Sequence, residues 1–138
     1  MDHLLTYAQG EPQADVVAVC HEDPAEMEAM VDYCGLKEEQ IFTDWQDCLE
    51  QSQPDIVVLC PANHLHAEWV ERVAPAGVHI LIEKPFANSL DQADRMIAAQ
   101  KASGKALAVN WPLAWYPPHL TAYRLLMEGR IGDLEEVH

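Results

Sequence analysis

Val78-His79-Ile80-Leu81-Ile82-Glu83-Lys84-Pro85-Phe86-Ala87 is an apolar run that breaks off abruptly in charge and proline. An earlier stretch, Asp55–Ala67 (DIVVLCPANHLHA), has the same form: Ile56–Leu59, then Cys60-Pro61 and a polar loop. Neither run alternates apolar with polar residues. Short Val/Ile/Leu runs of this kind read as strands buried on both faces, as in a parallel sheet. The groups that follow, Cys60–His66 and Glu83–Phe86, are then expected together at the carboxyl edge of that sheet, where open α/β folds bind ligands.

Working outward, Asp15–Cys20 (DVVAVC) reads as a further buried strand, and Ile41-Phe42 and Ala106–Val109 as short ones. Between them lie predicted helices over Pro24–Cys34, Asp44–Gln51, His64–Ala74 and Leu90–Ser103. Pro24 suits a first turn, and Gly35, Gly77 and Gly104 suit helix ends. Ser89 is placed to cap the helix that starts at Leu90. Asp2–Gln9 looks like the latter part of a helix stopped by Gly10 and Pro12. Alternating strands and helices joined by short connections imply right-handed crossovers and a parallel α/β sheet.

After Val109 the character changes. Asn110–Pro118 (NWPLAWYPP) holds two Trp, a Tyr and three Pro, which suits an irregular crossover. His119–Glu128 reads as a helix closed by Gly129, and Leu134–Val137 as the beginning of another strand. The expected organisation is one domain over residues 1–110 and the start of a second, α+β domain over 111–138.

Composition narrows the functions. Hydrophobic residues make up 49% of the 138-residue chain, which indicates a globular protein. Twenty-three acids against eight bases give a net charge of −15, which argues against nucleic acid or an anionic membrane as partner. No apolar run approaches the roughly 20 residues that span a bilayer, and the amino terminus lacks a secretory signal pattern, so cytoplasm is the expected location. Cys20, Cys34, Cys48 and Cys60 form no C-x-x-C pair, and free thiols are expected. His64-x-His66 without a third ligand makes a weak metal signal.

A strand followed by Pro61-Ala62-Asn63-His64-Leu65-His66, then a strand followed by Glu83-Lys84-Pro85, resembles the glucose–fructose oxidoreductase / inositol dehydrogenase (Gfo/Idh/MocA) family. The resemblance covers nearly all of the chain and part of the family's full length. It implies a two-domain oxidoreductase that uses NAD or NADP and acts on a sugar, polyol or related small alcohol. It also implies a homo-oligomer in the full-length parent, paired through the second domain's sheet.

The Rossmann-type, doubly wound sheet of such enzymes is announced by strand–GxGxxG–helix, whose backbone N–H groups hold the pyrophosphate. The glycines here, Gly10, Gly35, Gly77, Gly104, Gly129 and Gly132, form no such motif. The ribose-binding acid normally follows the motif by roughly 20 residues, at the end of the second strand. That strand ends at Cys20, so the expected glycine loop falls at or just before Met1. The chain is thus expected to begin inside the first helix, lacking the first strand and glycine-rich loop.

His21 occupies the position where the family usually has an acid for the adenosine ribose. Imidazole can hydrogen-bond a hydroxyl, and Glu22 and Asp23 could substitute or repel a 2′-phosphate, so NAD versus NADP stays open. A solvent-facing His in an acidic turn is the plain rival. The resemblance assigns Pro61, Asn63 and His66 to cofactor binding; Asn63 as a helix N-cap is the rival there.

The resemblance makes Lys84 the catalytic lysine, Glu83 its partner or a ribose ligand, and Pro85 the residue that fixes the turn. A charge at the end of a buried strand is costly unless it is used. An ammonium there can orient a substrate hydroxyl and stabilise developing alkoxide charge. A surface Glu–Lys pair is the rival. Asn110 and Trp115, with Pro117, resemble the family's N-x-x-(R)-(aromatic)-x-P segment beside nicotinamide and substrate, with Ala114 where an arginine is common. Packing between domains is the rival for Trp111, Trp115 and Tyr116. The family's Asp/His proton relay lies in the second domain. An oxidoreductase by family is the expected function, with this chain an incomplete portion; the alternative is a non-catalytic nucleotide-binding or regulatory module.

Overall fold

The computed structural model describes residues 14–136 and divides the chain into two compact units, residues 1–55 and 56–138. The helix expected over Asp2–Gln9 and the predicted position of a glycine loop lie outside the described residues.

In the first unit, β1 (Val19–Cys20) runs parallel to β2 (Ile41–Phe42), with Val19 opposite Ile41 and Cys20 opposite Phe42. Among the described residues, the strand expected over Asp15–Cys20 is paired only in its last two; upstream the Val17 carbonyl accepts from the Gln40 side chain at 3.1 Å, and Val17 stays 43% exposed. The predicted Pro24–Cys34 helix divides in two. The Asp23 carboxylate accepts from the Ala25 N–H and tightens Pro24–Met27 into a 3-10 turn before α1 (Glu28–Cys34). Gly35 ends α1 at φ 64°, a left-handed conformation that suits glycine. Asp44 caps α2 (Trp45–Ser52) by accepting from the Gln46 and Asp47 N–H groups at 2.8 and 3.0 Å.

The second unit carries three parallel strands in the order β3 (Ile56–Leu59), β4 (His79–Glu83), β5 (Leu107–Asn110). A 3-10 turn (Asn63–Leu65) leads into α3 (His66–Val73) between the first two strands, and α4 (Leu90–Ser103) connects the last two. Both crossovers step the same way across the sheet, so the right-handed rule puts both helices on one face. There Ile80 and Ile82 of β4 pack with Val70, Val73 and Met96, each no more than 2% exposed. Arg95 of α4 reaches Glu71 of α3 with a two-pronged ion pair at 2.9 and 3.1 Å. Ser89 caps α4 as expected, accepting from the Gln92 N–H.

β3 departs from the expectation of burial on both faces. Leu59 is buried, whereas Ile56 and Val58 keep 57% and 41% of their surface exposed. The alternation follows from the pleat, since successive side chains turn to opposite faces and only one carries α3 and α4.

At the amino ends of β4 and β5, buried Gln100 donates its Nε2 hydrogens to the Val78 and Ala106 carbonyls, both at 2.9 Å. Beyond β5, Pro112–Trp115 forms a 3-10 turn and α5 covers Pro117–Met127, starting two residues before the predicted His119. Proline is at home in a first turn, where its missing N–H costs no hydrogen bond. Leu134–Val137, expected to open a strand, has no regular structure through residue 136, and Val137 lies outside the described residues. A strand exists by pairing, and none of the described strands lies alongside this segment.

Candidate active site

The register of the three-stranded sheet brings its strand ends level. Leu59 sits opposite Ile82, and Glu83 opposite Asn110. Three loops therefore leave one edge together, carrying Pro61–His66, Glu83–Phe86 and Asn110–Trp115. Of the residues expected at the site, these strand ends unite Pro61, Asn63, His66, Glu83, Lys84, Pro85 and Asn110. β4 runs one residue further than predicted, so Glu83 belongs to the strand.

Glu83 is held on both oxygens. Asn110 Nδ2 donates to one at 2.6 Å, and the Lys84 backbone N–H donates to the other at 3.1 Å. The Cys60 thiol feels the Glu83 charge. Its pKa is raised by partial burial of the sulfur and then by the Glu83 charge, although the residue as a whole keeps an exposed surface. Lys84 is exposed, and among the described residues no ion pair engages its ammonium. The rival reading of a Glu83–Lys84 surface pair does not describe these side chains: the carboxylate is anchored to Asn110, and among the described residues no ion pair holds the ammonium. The Lys84–Pro85 peptide is cis.

Asn63 is exposed and caps nothing. Ala62 takes the cap position of the 3-10 turn, without a side-chain bond, so among the described residues the Asn63 amide is left free to meet a ligand. His66 is the opposite case, with its side chain fully buried. Its Nδ1 lies 3.3 Å from the Phe86 carbonyl oxygen and its Nε2 3.2 Å from that of Pro61. Phe86 carries no sequence signal for this contact, because the contact uses its backbone. Trp115 ends the 3-10 turn after β5, and its side chain lies outside the described parts of the structure. Among the described residues no cluster of His, Cys, Asp and Glu can hold a metal ion.

In the first unit His21 is exposed at the end of β1. Its Nδ1 lies 3.0 Å from the Asp23 backbone nitrogen and 3.1 Å from the Asp23 carbonyl oxygen, so it accepts from the one or donates to the other according to the tautomer. The Asp23 carboxylate is committed to the Ala25 N–H. Of the two acids considered as substitutes for a ribose ligand, Glu22 is the one left uncommitted among the described residues.

Neighbouring Cys20 has its thiol pKa pushed from 9.0 up to about 11, first by burial, then by Cys48 and the Asp44 carboxylate. At pH 8 the native chain is expected to lose this thiol to iodoacetamide roughly a hundredfold more slowly than the urea-unfolded chain, as timed mass spectrometry would show. The unfolded thiol ionises first on raising the pH. Cys20 therefore contributes stability below pH 9 that is lost as the pH climbs to about 11. Equal alkylation rates in the two states would contradict this environment.

The donor set fits a nicotinamide dinucleotide. A free amide at Asn63 and a free ammonium at Lys84 stand at adjacent strand ends, where such cofactors lie across parallel sheets. A family model described as "Oxidoreductase family, NAD-binding Rossmann fold" (GFO_IDH_MocA) matches residues 1–111. The chain belongs to the Gfo/Idh/MocA family. Among Gfo/Idh/MocA relatives, D-apiose dehydrogenase of Paraburkholderia graminis is 33% identical over 119 residues, 86% of this chain and 31% of that protein. The dTDP-3,4-didehydro-2,6-dideoxy-alpha-D-glucose 3-reductase of Actinomadura kijaniata is 36% identical over 86 residues, 62% of this chain and 26% of that one.

Solved structures agree. An Agrobacterium radiobacter oxidoreductase in complex with NAD+, L-tartaric acid and magnesium is 26% identical with a TM-score of 0.78, over 95% of this chain and 37% of that one. A 3-ketoreductase from Actinomadura kijaniata, in complex with TDP-benzene and NADP, is 27% identical with a TM-score of 0.73, over 96% and 40% of the two chains. This Gfo/Idh/MocA chain thus spans between a quarter and two fifths of the length of these relatives.

Proposed function

We propose that the chain supplies the nucleotide-binding part of an NAD(P)-dependent oxidoreductase acting on a sugar, polyol or related alcohol. Residues 1–110 would form that part, and 111–138 the start of the substrate-side domain. The observation that carries this reading is the uncommitted Lys84 ammonium, held at a strand end beside a carboxylate that Asn110 has already engaged.

Bound nicotinamide would supply the hydride acceptor or donor. Lys84 would hold the oxygen of the reacting carbinol or carbonyl and stabilise negative charge on it. Glu83, fixed by Asn110, keeps a negative charge near the lysine without pairing to it. Asn63 would hydrogen-bond the cofactor from the adjacent loop, and Pro61 and Pro85 would shape the two loops around it. The exposed imidazole of His21 would hydrogen-bond the ribose 2′-oxygen or a phosphate on it. The substrate class is supported by the relatives, which are named for sugars and sugar nucleotides.

A fluorescence titration of the purified chain with NADH, and separately with NADPH, tests the reading. Saturable binding in the micromolar range of at least one is expected. A cooperatively folded chain that binds neither would contradict it.

A further inference from the structure

We infer that His66 is a positioning residue, a buried tie that sets the spacing between the loop bearing Asn63 and the loop bearing Lys84. The inference rests on the reading of that edge as the cofactor and substrate site. A fully buried side chain cannot touch a ligand, so His66 acts through what it holds. Its two ring nitrogens face the carbonyl oxygens of Pro61 and Phe86 at 3.2 and 3.3 Å. Pro61 precedes Asn63 by two residues, and Phe86 follows Lys84 by two. One imidazole therefore bridges both segments, close to each functional side chain.

A neutral ring carries one N–H and donates to one carbonyl at a time; the cationic ring donates to both. Either way, an apolar side chain of similar size removes the N–H that served at least one of the two carbonyls and leaves both facing a group that donates nothing. Buried polar groups left unpaired are costly, so the loops would move to find other partners. The next strand end is tied separately, by Asn110 to Glu83. His66 and Asn110 thus link the ends of β3, β4 and β5 in series.

The experiment compares the 138-residue chain with His66→Leu and His66→Gln by NADH titration, thermal melting and backbone amide NMR. In His66→Leu the amide signals of Asn63 and Lys84 are expected to shift together, with NADH affinity falling roughly tenfold as the preformed spacing is lost. Glutamine places an amide where Nε2 stood, so His66→Gln should keep the Pro61 link, hold the Asn63 signal near its wild-type position and move that of Lys84. Loop signals unmoved in His66→Leu would overturn the inference, whether the variant merely melts earlier or loses NADH affinity through a direct contact.

If His66→Leu does not fold, His66→Gln decides alone, and a shift at Asn63 without one at Lys84, or at neither, overturns the tie. A wild-type chain that binds no NADH defeats the functional reading instead. The amide signals still decide whether His66 couples the loops.

Discussion

Replacing Lys84 with alanine is expected to slow hydride transfer by about two to three orders of magnitude while changing nucleotide affinity by less than about threefold. The asymmetry follows from where the ammonium stands. It is exposed, and no ion pair engages it among the described residues, so its loss leaves no buried partner stranded and little folding stability at risk. On the proposed role, what disappears is a positive charge placed for the substrate oxygen, which gains negative charge as hydride arrives at a carbonyl and, in the reverse direction, as the carbinol gives up its proton before the hydride leaves. The assay is the change in nicotinamide absorbance with a panel of sugars and polyols, in a preparation that turns over one of them. A variant with unchanged kcat would remove Lys84 from the chemistry. Parallel losses in NADH affinity would make it a cofactor ligand instead.

Ile82→Ala should lower folding stability by about 3 kcal/mol, through lost burial and the cavity left behind. Ile82 is fully buried, central in the three-stranded sheet, and packed on the face that α3 and α4 cover. It also precedes Glu83 directly, so the same packing that stabilises the strand aims the charged edge. Urea unfolding followed by circular dichroism gives the measurement, with a lower midpoint and an unchanged slope expected. A loss under about 1 kcal/mol would mean that the site collapses around the smaller side chain and is not tightly packed. Ile56, on the same sheet but 57% exposed, is the matched control, and its truncation should cost little.

Much of this architecture is legible in the sequence because it depends on local signals. Leu90–Ser103 is delimited in sequence by Ser89 and Gly104, and in the fold these two residues cap and end the helix. The parallel core follows from two Val/Ile/Leu runs that each break off in a polar, proline-bearing loop, and Lys84 is marked by its place at the end of such a run, where an unused charge is costly. The misses are of another kind. The Pro24–Cys34 segment divides into a 3-10 turn, capped by Asp23 through the Ala25 N–H, and a shorter α-helix. Among the described residues Asp15–Ala18 pairs with no strand, its Val17 carbonyl accepting instead from the Gln40 side chain, and Ile56 and Val58 are exposed because helices cover one face within their unit.

The site divides in the same way. From residue types and their order alone came the parallel α/β fold, the Gfo/Idh/MocA membership, and the loops that carry Asn63, Glu83, Lys84 and Asn110. These are properties of short segments, whose periodicity, caps and charge placement act over a few residues. Only the tertiary structure decided which of those side chains are spent and which remain available. Glu83 is committed to Asn110 across a strand register, 27 residues away in sequence, and His66 turns inward to a carbonyl 20 residues away. Those commitments depend on donors and acceptors brought together by strand pairing, and a hydrogen bond between distant residues leaves no pattern along the chain.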